Sequence, residues 1–195
     1  MIKGFAIILT INLLPDMNTL IKTICMGGLA AIISLASCKK DDDNNNNPRT
    51  QLDPVDTTFM NKAAQGGLAE VELGQLAASK GQAPAIRNFG QMMVNDHSGQ
   101  NNELKQIASN KNYNLPNTLD PTHAMMKAML STLSGAKFDS VYISGQVVDH
   151  QATSTLFDNE KNNGKDQDLK NFAAKYQPAI NMHLQRAITI RDSLF

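Results

Sequence analysis

Between Asp53 and the C-terminus, apolar side chains recur every three or four residues, the spacing of one face of a helix. Asp53 and Asp120, each followed by a proline, are typical of helix starts, and Gly81 and Gly164 are typical of helix ends. The expected helices span about 54–80, 84–110, 121–135, 136–162 and 166–195. No segment alternates as a strand would. The sequence therefore predicts an all-α domain over residues 53–195, an antiparallel four-helix bundle with a short extra helix in the middle connection.

Composition agrees with this fold class. Only 5% of the residues are aromatic and none is Trp, which suits helices better than sheets. The 18 basic and 18 acidic residues balance, so the whole-chain charge gives no electrostatic reason to expect a nucleic-acid partner.

The first 37 residues have the pattern of a lipoprotein signal peptide. After Lys22, an apolar run extends from Ile24 to Ala36, which is shorter than the about 20 residues of a membrane-spanning helix. The run ends in LASC, which resembles a bacterial lipobox. We therefore expect residues 1–37 to be removed and Cys38 to be lipidated, with Met17 as a candidate for the true start. An ordinary signal peptide or a buried helix is the alternative.

Two lysines and three aspartates directly follow Cys38, and polar residues continue to Thr50. The Lys-then-Asp order is unlike the usual inner-membrane retention signal and similar to a surface-export signal of some Gram-negative lipoproteins; a solvated tether is the alternative. We expect residues 38–52 to form a flexible tether. The expected location is the cell envelope, as an outer-membrane lipoprotein that is periplasmic or surface-exposed, with the membrane as its partner through the lipid. The sequence identifies no protein partner.

Every long helix carries a titratable side chain near the middle of its apolar face. These residues are Glu70, Asp96, His97, Asp149, His150 and His183. At about 100° per residue, Glu70 and His183 fall within the apolar faces of the first and fourth long helices. In the second and third long helices, the same wheel places the aspartates inside and the neighbouring histidines at the edge.

Two interpretations account for this polar layer. Burying an isolated carboxylate costs several kcal/mol, so the groups need partners. They could satisfy one another, for example Asp149 with His183 or Glu70 with His97, and this would suit a structural or interaction module. They could instead surround a divalent ion such as Fe, Mn or Zn, as in di-metal carboxylate bundles, and this would suit metal storage or sensing. We favour the network, because buried polar groups are normally paired without metal.

Four segments, AAQGGLAEVELGQLA, MMVNDH, LSGAKFDSVYISGQVVDH and QPAINMHL, resemble the bacterial family called domain of unknown function 4142. The resemblance extends from about Phe59 to the C-terminus. It implies a ferritin-like up-down bundle, often secreted or lipid-anchored, and no established activity. The family pattern points to Glu70, Asp96, His97, Phe138, Asp139, Tyr142, Asp149, His150 and His183.

The sequence departs from di-iron ferritin-like proteins in one respect. Those proteins carry Glu-x-x-His on two helices, whereas here Val94 precedes His97 by three residues and Ile180 precedes His183 by three. Ferroxidase or oxygenase chemistry is therefore not expected. Gly-x-Ser-x-Gly is also absent from the sequence, which argues against a hydrolase of that type. We do not expect an enzyme.

The short extra helix carries a group of soft-metal ligands, His123, Met125, Met126 and Met129. Thioethers and imidazole suit Cu(I). Methionine also fills irregular gaps in apolar cores. A Cu(I) site and a methionine-rich core stripe are the two alternatives for this helix.

Overall fold

The computed structural model describes residues 52–195. This part of the chain contains no strand and five helices: α1 (Pro54–Lys80), α2 (Pro84–Asn110), α3 (Pro121–Thr132), α4 (Gly135–Asn163) and α5 (Gln167–Leu194). The all-α prediction is confirmed, and the long helices begin and end within about two residues of their expected bounds. The short helix ends at Thr132 rather than at Gly135, which has a positive φ and begins α4.

The signal peptide, Cys38 and most of the tether lie outside the described residues, so these stay predictions. Leu52, which we assigned to the tether, packs against the apolar core beside α1. Among the described helices, none has the length and apolar character needed to cross a bilayer.

Local side chains explain where most helices start. Asp53 accepts a hydrogen bond from the N–H of Val55 at 2.9 Å, and Asp120 and Asp166 cap α3 and α5 in the same way. The start of α2 has no such cap from its own segment. The N–H of its N-cap residue, Ala83, is instead bonded from elsewhere in the fold.

Asp139 of α4 supplies that cap across the bundle. Its carboxylate accepts hydrogen bonds from the N–H groups of Gln82 and Ala83, at 2.9 and 2.8 Å. Asp56 of α1 does the same for the other hairpin, accepting from the N–H groups of Lys165 and Asp166 at 2.8 and 3.1 Å. Each hairpin loop is thus held by a buried carboxylate from the opposite hairpin.

Contacts between the hairpins define the topology. The Asp56 contact to Lys165 brings the start of α1 to the end of α4, so these helices are antiparallel. Glu103 of α2 binds Lys175 and Tyr176 of α5, while Asp96 binds His183, so α2 and α5 are antiparallel as well. The helices run up, down, down and up, and the connection that contains α3 crosses the length of the bundle. A single long crossover is the ferritin-like arrangement.

The apolar core is divided into two clusters by a polar layer. One cluster surrounds Phe89, Phe138 and Tyr142, and the other surrounds Phe59, Phe157 and Phe172. Buried polar residues lie between them at mid-length: Glu70, His97, Gln100, Asn101, Gln146, His150, Gln177 and His183. The two apolar clusters therefore shield the polar layer from water at both ends of the bundle.

Glu160 gives a testable pH dependence at the end of α4. Its side chain is fully buried beside Asp56, and burial, followed by the charge of Asp56, raises its pKa to about 7. Between pH 4.5 and 7 the unfolded chain releases this proton while the folded chain keeps it, so stability falls as pH rises.

Glu160→Gln is expected to abolish this fall in the free energy of unfolding, which amounts to about 1–3 kcal/mol in wild type. Urea unfolding at pH 5 and pH 8 measures it, with Glu72→Gln, on a half-exposed glutamate of α1, as the control. A Glu160→Gln protein that loses as much stability as wild type between these pH values would contradict the assignment.

Candidate metal centre

Three histidines meet inside the polar layer. His97 of α2, His150 of α4 and His183 of α5 are each at most 2% exposed. One ring nitrogen of each lies within 4.8 Å of the others, and the ring centroids are 5.4 to 5.8 Å apart. Three helices thus converge on one point with the same ligand type.

Heptad-like spacing brings these rings inward. In α2, the buried residues Met93, His97, Gln100 and Leu104 follow one another at steps of four, three and four. In α4, Ile143, Gln146 and His150 follow the same rhythm, and in α5 so do Ile180, His183 and Ala187. This is the spacing of residues that face a partner helix.

The predicted positions of the aspartates and histidines in α2 and α4 are therefore wrong. His97 and His150 are buried in the bundle, whereas the side chain of Asp96 is 46% exposed and that of Asp149 is partly exposed. Large apolar side chains alone do not define the inner face of α2, because small and polar residues such as Gly90, Gln100 and Asn101 are also buried. Including them turns the face by about one residue, toward the histidines.

The predicted pairings are also wrong. His183 pairs with Asp96 rather than with Asp149, and the imidazole closest to Glu70 is that of His150, with 3.6 Å between Nδ1 and Oε1. The antiparallel register between helices decides these pairs, and no single helix encodes it.

Hydrogen bonds fix the tautomers of two histidines. His183 Nε2 donates to the Asp96 carboxylate at 2.9 Å, and His150 Nδ1 donates to the carbonyl oxygen of Gln146 at 3.0 Å. The other nitrogens, His183 Nδ1 and His150 Nε2, then carry lone pairs, and neither has a partner within residues 52–195. A hydrogen bond on the far nitrogen is how proteins orient imidazoles toward a metal.

His97 has no hydrogen-bond partner on either ring nitrogen in the described part of the chain. Buried imidazole nitrogens are normally paired, so this is an exception that needs a reason. Gln146, Gln177 and Asn101 each also leave a buried side-chain oxygen unpaired there. The expected self-satisfied network is therefore incomplete.

All three imidazoles are neutral at pH 7. Burial, together with the neighbouring His150 and His183, lowers the pKa of His97 to about 3. Burial also lowers the pKa of His150 to about 4 and depresses the pKa of His183. Neutral imidazoles with lone pairs are the form that binds a metal ion, whereas protonated ones repel it.

Glu70 lies next to the histidines and is more than nine-tenths buried. Burial, and then the charge of Asp149, raises its pKa to about 8. Its contact with His150 therefore joins a protonated acid to a neutral imidazole and is not an ion pair. Glu70 lines a small inner cavity with His97 and His150, and it also lines an outer cavity of about 340 Å³.

The remaining residues of the family pattern have structural positions. Phe138 and Tyr142 stack with centroids 6.1 Å apart in the cluster at the start of α4, and Asp139 is the cap described above. Gln146, whose backbone carbonyl orients His150, is not among the predicted site residues. Its position four residues before His150, on the buried face, is the signal that could have identified it.

The soft-metal group of α3 does not converge. Met125 and Met129 are exposed, whereas Met126 packs against the core and His123 contacts Asp120. The prediction of a methionine-rich core stripe is therefore wrong for Met125 and Met129. These two residues are four apart, so they share one face of α3, and that face is the outer one.

Comparison with known proteins supports the fold and leaves the activity open. The model of a family described as a domain of unknown function, DUF4142, matches residues 42–190. A crystal structure of a DUF305 fragment from Deinococcus radiodurans is similar, with a TM-score of 0.62 and 14% sequence identity over 73% of this chain and 97% of that fragment. At this identity the likeness concerns the fold alone. No curated protein shows significant similarity.

Proposed function

We propose a metal-binding role for this chain, which belongs to the family of the domain of unknown function DUF4142. One observation carries the proposal: three buried, neutral imidazoles place a ring nitrogen each within 4.8 Å of the others. The proposal replaces the hydrogen-bonded network as the favoured interpretation, because that network leaves His97 unpaired within residues 52–195.

Imidazole ligands suit Zn²⁺, Cu²⁺ and Ni²⁺. In a tetrahedral Zn²⁺ site, Zn–N bonds of about 2.0–2.1 Å separate the nitrogens by about 3.4 Å. The rings need to close by at most about 1.4 Å from the 4.8 Å limit, which small side-chain rotations supply. Three protein ligands leave a fourth position open. Glu70 is the carboxyl group nearest to His150.

Storage or sensing of a transition-metal ion is the role that this centre supports. The ligand set is three histidines, and Asp96 acts by orienting His183 rather than by binding the ion. Glu-x-x-His is missing from His97 and His183, so we do not propose di-iron chemistry.

Metal analysis of the purified protein tests the proposal. After loading with Zn²⁺ and removal of free ions, wild type should retain one ion at this centre, and His97→Ala should lose it. Gln100→Ala, a buried polar position one turn away on α2, is the matched control and should keep the ion. Equal retention by wild type and His97→Ala would refute the assignment.

The envelope location is a second part of the proposal. The LASC motif, which ends at Cys38, supports lipidation of that cysteine. The polar residues that follow Cys38 support a tether. Mass spectrometry of the mature protein should find acyl groups on an N-terminal Cys38, and Cys38→Ser should abolish partitioning into detergent. A mature N-terminus elsewhere would rule out this anchor.

A further inference from the structure

The outer and the inner cavity share part of their walls. The outer cavity, of about 340 Å³, lies between α1, the start of α3 and α4. The inner cavity, of about 10 Å³, reaches His97 and His150 and has room for about one water molecule. The residues that line both cavities are Lys62, Gly66 and Glu70 of α1 and Thr153 of α4. The two cavities are therefore neighbours, and the inner one reaches two of the three histidines.

The outer cavity begins at the protein surface and has acidic residues in its wall. Ala152 and Thr155 of α4 line it and are exposed. Asp120 and Asp149, whose side chains are 24% and 28% exposed, also line it, and their carboxylates attract cations. Lys62 opposes this charge, but it is exposed, so water and salt screen its ammonium group. A divalent ion at this surface is therefore drawn toward the outer cavity.

Gly66 leaves open space where the two cavities meet. Lys62, Gly66 and Glu70 are four residues apart and share one face of α1. Among the residues that the structure describes, a Cβ atom at Gly66 would meet no neighbouring atom within 4 Å. A large side chain at this position would fill the junction of the cavities without striking another helix.

Glu70 stands at the same junction, next to the histidines. Its Oε1 lies 3.6 Å from Nδ1 of His150. Its Oε2 is buried and has no hydrogen-bond partner within residues 52–195, so no hydrogen bond of that oxygen has to break when the side chain turns. A change between staggered rotamers of this flexible side chain would widen the connection.

His97 lies at the inner end of this connection. It lines the inner cavity and is 2% exposed. Both of its ring nitrogens are without a hydrogen-bond partner in the described part of the chain. An ion that reaches the inner cavity therefore meets an imidazole that has no other contact to give up.

We propose that a divalent transition-metal ion enters the three-histidine centre from the outer cavity, past Gly66 and Glu70. This route rests on the proposed metal-binding function. Glu70 acts as a gate whose side chain turns aside, and it is not a ligand of the bound ion. Because uptake and release use the same route, closing it should slow both rates and leave the equilibrium Kd unchanged.

Stopped-flow transfer of Zn²⁺ between a chromophoric chelator and the purified protein tests the route. Gly66→Leu should slow uptake and release at least about tenfold, because its side chain fills the junction of the cavities and raises the barrier to passage. Thr153→Leu narrows the junction from α4 and should slow both rates as well. Gly66→Ala, whose side chain is too small to close the junction, should load nearly as fast as wild type.

Gly99→Leu is the matched control on α2. Gly99 is exposed, and a Cβ atom there also meets nothing within 4 Å in the described residues, so this variant should load as wild type does. Circular dichroism establishes that each variant is folded, and equilibrium dialysis gives the Kd for Zn²⁺.

The two measurements separate the route from the metal-binding function itself. Gly66→Leu and Thr153→Leu proteins that load as fast as wild type, or that lose Zn²⁺ at equilibrium, would overturn the route while the three-histidine centre stands. A wild-type protein that retains no Zn²⁺ would refute the three-histidine centre and the route together.

Discussion

Replacing Gly90 by alanine is expected to lower the free energy of unfolding by about 2–3 kcal/mol. A Cβ atom at Gly90 would lie 2.6 Å from the carbonyl oxygen of Gly74 and 2.7 Å from the backbone nitrogen of Ala78. Both atoms belong to the backbone of α1, so the contact is relieved only by moving α1 away from α2. That movement would weaken the packing of α1 against α2 in the part of the bundle between their connecting loop and the histidines.

Gly99 is the matched control on the same helix. A Cβ atom there would meet nothing within 4 Å. Gly99→Ala should therefore raise stability by about 0.5–1 kcal/mol, because alanine loses less backbone entropy in a helix. Urea unfolding of both variants measures the two effects. A Gly90→Ala protein as stable as wild type would contradict the close approach of α1 and α2.

The second large effect concerns metal-linked stability. An ion that binds only the folded chain adds RT ln(1 + [L]/Kd), about 2.7 kcal/mol when free metal is a hundredfold above Kd. For a domain of this size, that corresponds to a rise in Tm of about 5–10 °C. We expect chelator to remove this rise from Zn²⁺-loaded wild type and to leave His183→Ala unchanged.

His183→Ala isolates the ligand well because its hydrogen-bond partner is not deeply buried. Asp96 is 46% exposed, so water can replace the lost imidazole. Gln177→Ala is the control on the same helix: it alters the same polar layer and should keep the response to chelator. If wild type were insensitive to chelator, or if His183→Ala responded as strongly, the metal would not be at this centre.

The helices could be predicted from the sequence because their signals are local. Asp53, Asp120 and Gly81 mark helix ends within a few residues of where they act. The polar layer could also be predicted, since Glu70 and His183 interrupt apolar faces at mid-helix. Convergence of the three histidines could not, because it depends on the register between helices that are distant in the chain. The contact between Asp96 and His183, for example, joins residues 87 positions apart.

The same limit explains the contacts that the sequence analysis missed. Asp56 and Asp139 cap loops of the opposite hairpin, with partners 109 and 57 residues away. Neither residue has a local signature, because a capping carboxylate normally precedes its own helix. The close approach of Gly74 and Gly90 is also non-local, and nothing in the sequence of α1 alone distinguishes Gly74 from an ordinary helical glycine.

X-ray absorption at the zinc edge, on protein loaded with one Zn²⁺ per chain, identifies the ligands of the ion. We expect about three imidazole nitrogens at about 2.0–2.1 Å, with the multiple-scattering features of histidine rings. We also expect their loss in His97→Ala, since His97 is the histidine without another partner in residues 52–195. A spectrum dominated by carboxylate and water oxygens, unchanged in His97→Ala, would contradict the three-histidine centre.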